Sequence, residues 1–257
     1  WAWASPYKQH GLDYYPKGLV AVPFTPVPGA RLLAVDDAAR RALLAALLRH
    51  CKQERLSSLH LLFLADDDAR ACEAAGLLMR QTVQFHWTDA GWSDFDAFLA
   101  SLSHDKRKKI RQERHKVAQA GVQFEARHGT AIGRADWDFF YRCYERTYLE
   151  HGNARYLSRD FFTRVARTMP DHWLLFIARR GGQPIASSLI ALAPDSKTAY
   201  GRYWGALERV DCLHFEACYY QPLAWCIANG YATFEGGAQG EHKMARALMP
   251  TPTRSAH

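Results

Sequence analysis

The sequence predicts an α/β (α+β) chain of mixed, mostly antiparallel sheets flanked by helices. Three observations predict it. The last third reads strand, turn, strand, turn, strand, helix, strand between His172 and Gly236. The first hundred residues alternate apolar runs of strand length with helical patterns. The length, 257 residues, suits two modest lobes better than one core. We place the lobes at 1–100 and 101–257, the second opening with a basic helix.

In order, Gly18–Phe24 reads as a strand, and Pro23 puts it at an edge or a strand end. Asp36 or Asp37 caps a helix running to about Cys51, whose Leu43, Leu44, Leu47 and Leu48 sit at helical spacing. Ser58–Ala65 is a continuous apolar run, as in a strand buried on both faces. Asp66–Ala75 is a short helix, and Met79–Trp87 alternates as a strand does. A helix spans about Ser93–Leu102. The basic block Ser103–Lys116 continues as helix to Ala120, with Gly121 as its stop. Val122–Ala126 is a strand, and Arg134–Glu150 and Ser158–Met169 are helices. His172–Arg179 and Pro184–Ala193 form a hairpin around Gly181–Gly182, and Thr198–Gly205 is the next strand. A helix from Leu213 to Asn229 carries Pro222, which predicts a kink, because proline removes a donor and crowds the preceding turn. Tyr231–Gly236 is the last strand.

Composition removes several classes. Hydrophobic residues are 48% and charged residues 23%, a globular balance. A membrane span needs roughly 20 mostly apolar residues. The best stretch, Ala217–Phe234, is broken by Gln221, Pro222, Asn229 and Gly230, so no transmembrane segment is expected. Six cysteines without a CxxC pair point to free thiols in a reducing compartment, hence a cytoplasmic location. No HExxH-type spacing occurs, so no metal site is expected. No GxSxG occurs, and Cys218 and Cys226 sit on an apolar helix face, so no covalent nucleophile is evident. The sequence leaves the oligomeric state open.

Net charge is +7. Seven Lys/Arg against two acids in Ser103–Lys116 supply five of those seven charges. Lys106, Arg107, Lys109, Arg111 and Arg114 are candidate phosphate or carrier contacts, since Lys and Arg neutralise phosphates without reading sequence. A solvated helix between lobes is the competing reading. Ile110 and Val117 form its buried seam.

Two further clusters carry chemistry. Phe234–Lys243 (FEGGAQGEHK) puts three glycines and several titratable groups directly after a buried strand, where open sheets place ligands. Glu235, Glu241 and His242 are candidate bases, and Gly236, Gly237, Gln239 and Lys243 candidate substrate contacts. A turn with solvated charges is the alternative. The second cluster is Arg202, Tyr203 and Trp204 on the third strand, with Glu216 and Tyr220 on the following helix. Alternation puts Arg202 and Trp204 on one face and Tyr203 on the other. A buried Arg needs a partner, here Glu216, Glu235 or a substrate carboxylate.

The basic KRKKIRQERHKVAQAGV stretch, the later GRYWGALERVDCLHFEACYYQPLAWCIANGYATFEGGAQGEHK stretch and the N-terminal YYPKGLVAVPFTPVPGARLL resemble the FemAB-like predicted N-acyltransferase family. That bacterial group is related to the Fem-type peptidoglycan aminoacyltransferases. The resemblance implies two GNAT-like (acyl-CoA N-acyltransferase) lobes, an incomplete N-terminal one, and further chain on both sides. It implies transfer of an acyl or aminoacyl group from an activated carrier to an amine of a small molecule or cell-wall precursor. The donor it implies is acyl-CoA or aminoacyl-tRNA, with no permanently bound cofactor; tRNA or a nucleotide-linked carrier is the implied partner. One departure matters. Acetyl-CoA-using members of the fold carry an R/Q-x-x-G-x-G/A loop before the long helix, whereas this chain has ALERVDCLHFEA, with Asp211 and Glu216 near the helix start. That weighs against ordinary CoA binding and favours the tRNA donor. A catalytically silent module binding a peptidoglycan precursor or another anionic ligand is the alternative function.

Overall fold

The computed structural model describes residues 4–238 and 240–257, the side chains of Glu241 and His242 excepted. Contacts divide the chain into two units, Trp1–Val83 with Thr251–His257, and Gln84–Pro250. The division therefore falls at 83/84 rather than at 100, and the chain end belongs with the first unit.

In the first unit α1 (Ala4–Gln9) precedes β1 (Lys17–Val20), α2 (Asp37–Gln53), β2 (Ser58–Leu64) and α3 (Asp66–Ala74). Asp36 caps α2 by accepting from the Ala39 amide at 2.7 Å. β1 runs parallel to β2. The polar ending 251–257, which reads as an interruption, forms the larger part of a strand (Met249–Ala256, β9 in chain order) antiparallel to β2. β-Pairing satisfies its backbone, which its composition does not advertise. The α3 residue Asp68 is buried and accepts from the amides of Arg31 (2.5 Å) and Leu32 (3.0 Å) and from Arg40 Nε (3.1 Å).

β3 (Met79–Thr88) is divided between the units. The second unit continues with α4 (Phe95–Ser101), α5 (His104–Gln119), β4 (Val122–His128), α6 (Arg134–Glu150), α7 (Arg159–Thr168), β5 (Trp173–Arg180), β6 (Gln183–Ala193) and β7 (Thr198–Ala206). Then come α8 (Leu213–Phe215), a π-helical stretch Glu216–Tyr220, α9 (Gln221–Ala228) and β8 (Thr233–Glu235). The strand order is β3-β8-β7-β6-β5-β4. All these pairs are antiparallel except β7 with β8, which is parallel because a helical crossover joins them.

β5 is buried on both faces. Leu174 and Phe176 join a core with Phe98, Ile110 and Leu223, while Leu175 and Ile177 join Phe140, Tyr144 and Phe162. Gly205 allows α6 to lie against β7, since a Cβ there would overlap the Cys143 carbonyl. The kink expected at Pro222 takes a defined form. The helix widens by one π turn and restarts at Gln221, so Pro222 sits at the start of α9, where its missing N–H costs little. All six cysteines are free. No helix among the described residues is long and apolar enough to cross a membrane.

Candidate active site

The second unit positions the site through two irregularities. β7 and β8 pair only from Thr198↔Thr233 to Tyr200↔Glu235. Beyond that point β7 runs on and β8 ends. The β6–β7 register shifts between Leu189↔Tyr203 and Ile190↔Gly201, leaving Arg202 as the extra residue of a bulge. A bulge breaks the ladder and re-aims side chains. A cavity of about 130 Å³ occupies this place, lined by Ser188, Arg202, Trp204, Cys218, Phe234 and Gly236 among others.

The bulge corrects the expected alternation. The Arg202 guanidinium keeps company with Tyr203, 5.4 Å from its ring centroid. Tyr203 packs against Tyr144 and Phe162, whereas Trp204 lies against His214 (5.5 Å between centroids). An extra residue in the strand puts neighbours 202 and 203 together where strict alternation would part them.

Glu235 ends β8 between Phe234 and Gly236 of the cavity wall without lining the cavity itself, its side chain 15% exposed and His86 Nε2 3.8 Å from its Oε2. Burial pushes its carboxyl up to about 7, and the Arg202 charge offsets part of that rise. Among the described residues its Oε2 accepts no hydrogen bond. Burial lowers the His86 imidazole, so the neighbour is a neutral ring near pH 7. Glu235 is therefore a carboxyl poised to gain or lose a proton near neutrality, as a general base requires.

The chain after Glu235 folds tightly over the strand ends. The Gly236 amide donates to the Phe85 carbonyl at 2.8 Å. A Cβ on Gly236 would stand 2.5 Å from Leu248 Cδ2. Gly237 adopts a positive φ of 79°. Lys243 is 4% exposed, and its ammonium donates to the carbonyls of Gly236 (2.5 Å) and Gly237 (3.1 Å). Burial lowers it to about 8. These bonds make Lys243 a clamp on the glycine loop. Gln239 lies outside the described residues, and so do the side chains of Glu241 and His242, whose backbone opens the short helix Glu241–Arg246.

The other expected residues lie elsewhere in the unit. Glu216 does not meet Arg202. Its Oε1 accepts from Arg114 Nε at 3.2 Å and Gln221 Nε2 at 2.7 Å. It stands in the first turn of the helical segment that begins at Leu213, as expected, but buried there at the start of the π stretch. Tyr220 is buried and donates its hydroxyl to Glu113, away from the cavity. On α5, Lys109 and Arg111 are exposed, Lys106 and Arg107 half-buried, and Arg107 donates to the Ala100 carbonyl at 3.2 Å. Arg114 stacks 4.8 Å from the Phe95 ring centroid.

Sequence reasoning missed Glu113, Arg246 and His86. Arg246 is 1% exposed and its Nη2 reaches both Glu113 oxygens at 2.7 and 2.8 Å. Its guanidinium lies 3.4 Å from the Phe215 ring centroid. A signal for Glu113 existed: it falls between Ile110 and Val117 on the buried seam of α5. Groups of three or more His, Cys, Asp or Glu able to hold a metal ion are absent among the described residues.

A family model described as peptidoglycan biosynthesis/recognition matches residues 1–257. No curated protein sequence matches the chain. Among solved structures, the C-terminal domain of a putative lysylphosphatidylglycerol synthetase from Agrobacterium fabrum is similar, with TM-score 0.66 and 12% identity over 86% of this chain and 74% of that one. L-PGS from Bacillus licheniformis gives TM-score 0.64 and 11% identity over 86% and 73%. A FemX structure gives 0.56 and 12% over 92% and 82%. At these identities the likeness is one of fold.

Proposed function

The chain belongs to the FemAB-like family, and on that premise we propose that it transfers an acyl or aminoacyl group from an activated carrier to an amine of a cell-wall precursor. The observation that carries this reading is the cavity at the β7 bulge, with Arg202 in its wall and the near-neutral carboxyl of Glu235 within reach of the Arg202 charge.

In this reading the acceptor amine loses a proton to ionised Glu235 and attacks the carrier's carbonyl. The oxyanion forms against the bulge, where Arg202 supplies positive charge and the broken ladder a backbone amide. Collapse breaks the carrier's ester or thioester bond, and the proton held by Glu235 goes to the departing oxygen or sulfur of the carrier, which restores the carboxylate. Direct transfer is favoured because Cys218, the thiol in the cavity wall, is pushed far up by burial and is a poor nucleophile. The carrier's phosphates lie toward Lys106, Arg107, Lys109, Arg111 and Arg114. The missing glycine-pair loop supports an aminoacyl-tRNA donor over acyl-CoA.

The test incubates the protein with aminoacyl-tRNA or acyl-CoA and a peptidoglycan-precursor amine, and reads adduct mass. Transfer that falls by about 10²–10⁴-fold in Glu235→Gln supports the proposal. Transfer untouched in that variant removes the site assignment. Precursor binding without any adduct favours a silent recognition module.

A further inference from the structure

We infer that the second unit has a second ligand site, distinct in its lining from the transfer cavity but sharing Arg111 and Arg114 with the proposed carrier-phosphate face: a groove along α5 that takes a small zwitterion, an anionic phosphate or carboxylate carrying a nearby ammonium. The groove encloses about 450 Å³. Its walls include Arg111, Arg114 and His115 of α5, Phe124 of β4, Glu216 of the π stretch and Gln221 of α9. It shares no lining residue with the transfer cavity.

The charges in the groove divide by what they already bind. Arg114 is engaged by Glu216. Arg111 and His115 are exposed, and among the described residues neither makes a hydrogen bond or ion pair. The Arg111 guanidinium is a cation and the His115 ring a hydrogen-bonding partner, both in the wall of a concave surface suited to an anion. Glu216 is the opposite case. Its side chain is 5% exposed. Oε1 accepts two hydrogen bonds, yet Oε2 has no donor among the described residues. A buried carboxylate oxygen without a donor is costly. A ligand ammonium entering beside Glu216 would supply that donor, and Asp96 adds a second negative group to the lining. An anion alone meets Arg111 and His115 and leaves Glu216 unmet. A zwitterion meets both.

The π stretch explains why a carboxylate stands here. One extra residue per turn displaces Glu216–Tyr220 from regular helical register, and π turns recur at ligand sites.

The experiment needs no donor and no transfer. Phosphoethanolamine, inorganic phosphate, β-alanine and propionate are titrated at low salt by calorimetry, with amide chemical-shift mapping. The expected result is that each zwitterion binds about tenfold tighter than its parent anion, the scale of one charge-assisted hydrogen bond. The order of phosphoethanolamine and β-alanine then names the anion. Shifts should cluster at 111–124 and 214–221. Glu216→Gln, which keeps the size, should erase the preference while retaining anion binding. Arg111→Ala, at an exposed position, should weaken all four probes. Equal affinity of zwitterion and parent, shifts mapping elsewhere, or no binding by any probe overturns the inference. Glu235→Gln should leave these affinities unchanged, so failure of the transfer proposal is read separately.

Discussion

Glu235→Gln should stabilise the protein, and should do so only above a definite pH. In the folded chain the carboxyl is raised from its ordinary 4.5 to about 7 by burial, with Arg202 offsetting part of the rise. Between those values the folded state holds a proton that the unfolded chain releases. Stability therefore falls as pH climbs from about 4.5 to about 7, and levels off above. At about 1.4 kcal/mol per pH unit the full cost is about 3 kcal/mol, and the partial exposure of the side chain reduces it to about 2 kcal/mol. Glutamine keeps the shape and carries no charge. Urea unfolding of both proteins from pH 4 to 9 measures the difference. The variant should match the parent at pH 4 and exceed it by about 2 kcal/mol at pH 8. A difference constant across pH, or a less stable variant at pH 8, would refute the reasoning. If Glu235 is also the base, parental transfer should rise through pH 7 on the same ionisation, so the variant gains stability where it loses activity.

Three further outcomes can be checked. Arg246→Ala strands the Glu113 carboxylate and should cost about 3–5 kcal/mol in denaturant unfolding, whereas the double change Glu113→Gln with Arg246→Met should recover part of it; equal cost in both would remove the pair's role. Gly205→Ala forces α6 away from β7 and should cost on the order of 1–3 kcal/mol or more, with unaltered thermal stability the contrary result. A short single-stranded oligonucleotide should bind α5 with affinity falling steeply as salt rises. Lys109→Ala should lower the log–log slope by about one, and a flat salt dependence would deny a phosphate-contacting role to this helix.

Much of the second unit was legible because its signals are local. Thr198 opens a strand as expected, the strand expected from Pro184 opens one residue earlier at Gln183, and Ser158 caps α7 by accepting from the Phe161 amide at 3.2 Å. What escaped depends on distant partners. β9 is a strand because β2 lies beside it, and nothing in TPTRSAH announces that. The Arg202 bulge is a property of the β6–β7 register, and a single strand's alternation cannot reveal it. Pro222 announced a disturbance, but its π form required knowing that the helix resumes at Gln221. Glu113 has the spacing of a seam residue, yet in sequence it stands out only as one of two acids in a basic run. Its partner lies 133 positions away in sequence.

Two buried carboxylates of this unit, Glu113 and Glu216, and the half-buried Glu235 form a series that sorts structure from function. Glu113 accepts from both Arg246 and Tyr220, and both its oxygens are used. Such a group holds elements together and leaves no capacity for a ligand. Glu216 has one oxygen engaged by Arg114 and Gln221 and one without a donor. Glu235 has a buried oxygen with no hydrogen bond, a histidine at 3.8 Å and a carboxyl near neutrality. Folding alone selects against the second and third, because each unmet buried oxygen costs stability that an apolar residue would not. A fold that tolerates this cost at Glu216 in the wall of one concavity and at Glu235 between two wall residues of another, and avoids it at Glu113, places the unmet oxygens near where a ligand can sit. The series is therefore an argument about sites, and Glu113→Gln, Glu216→Gln and Glu235→Gln should separate accordingly: the first loses stability, the second ligand preference, the third transfer.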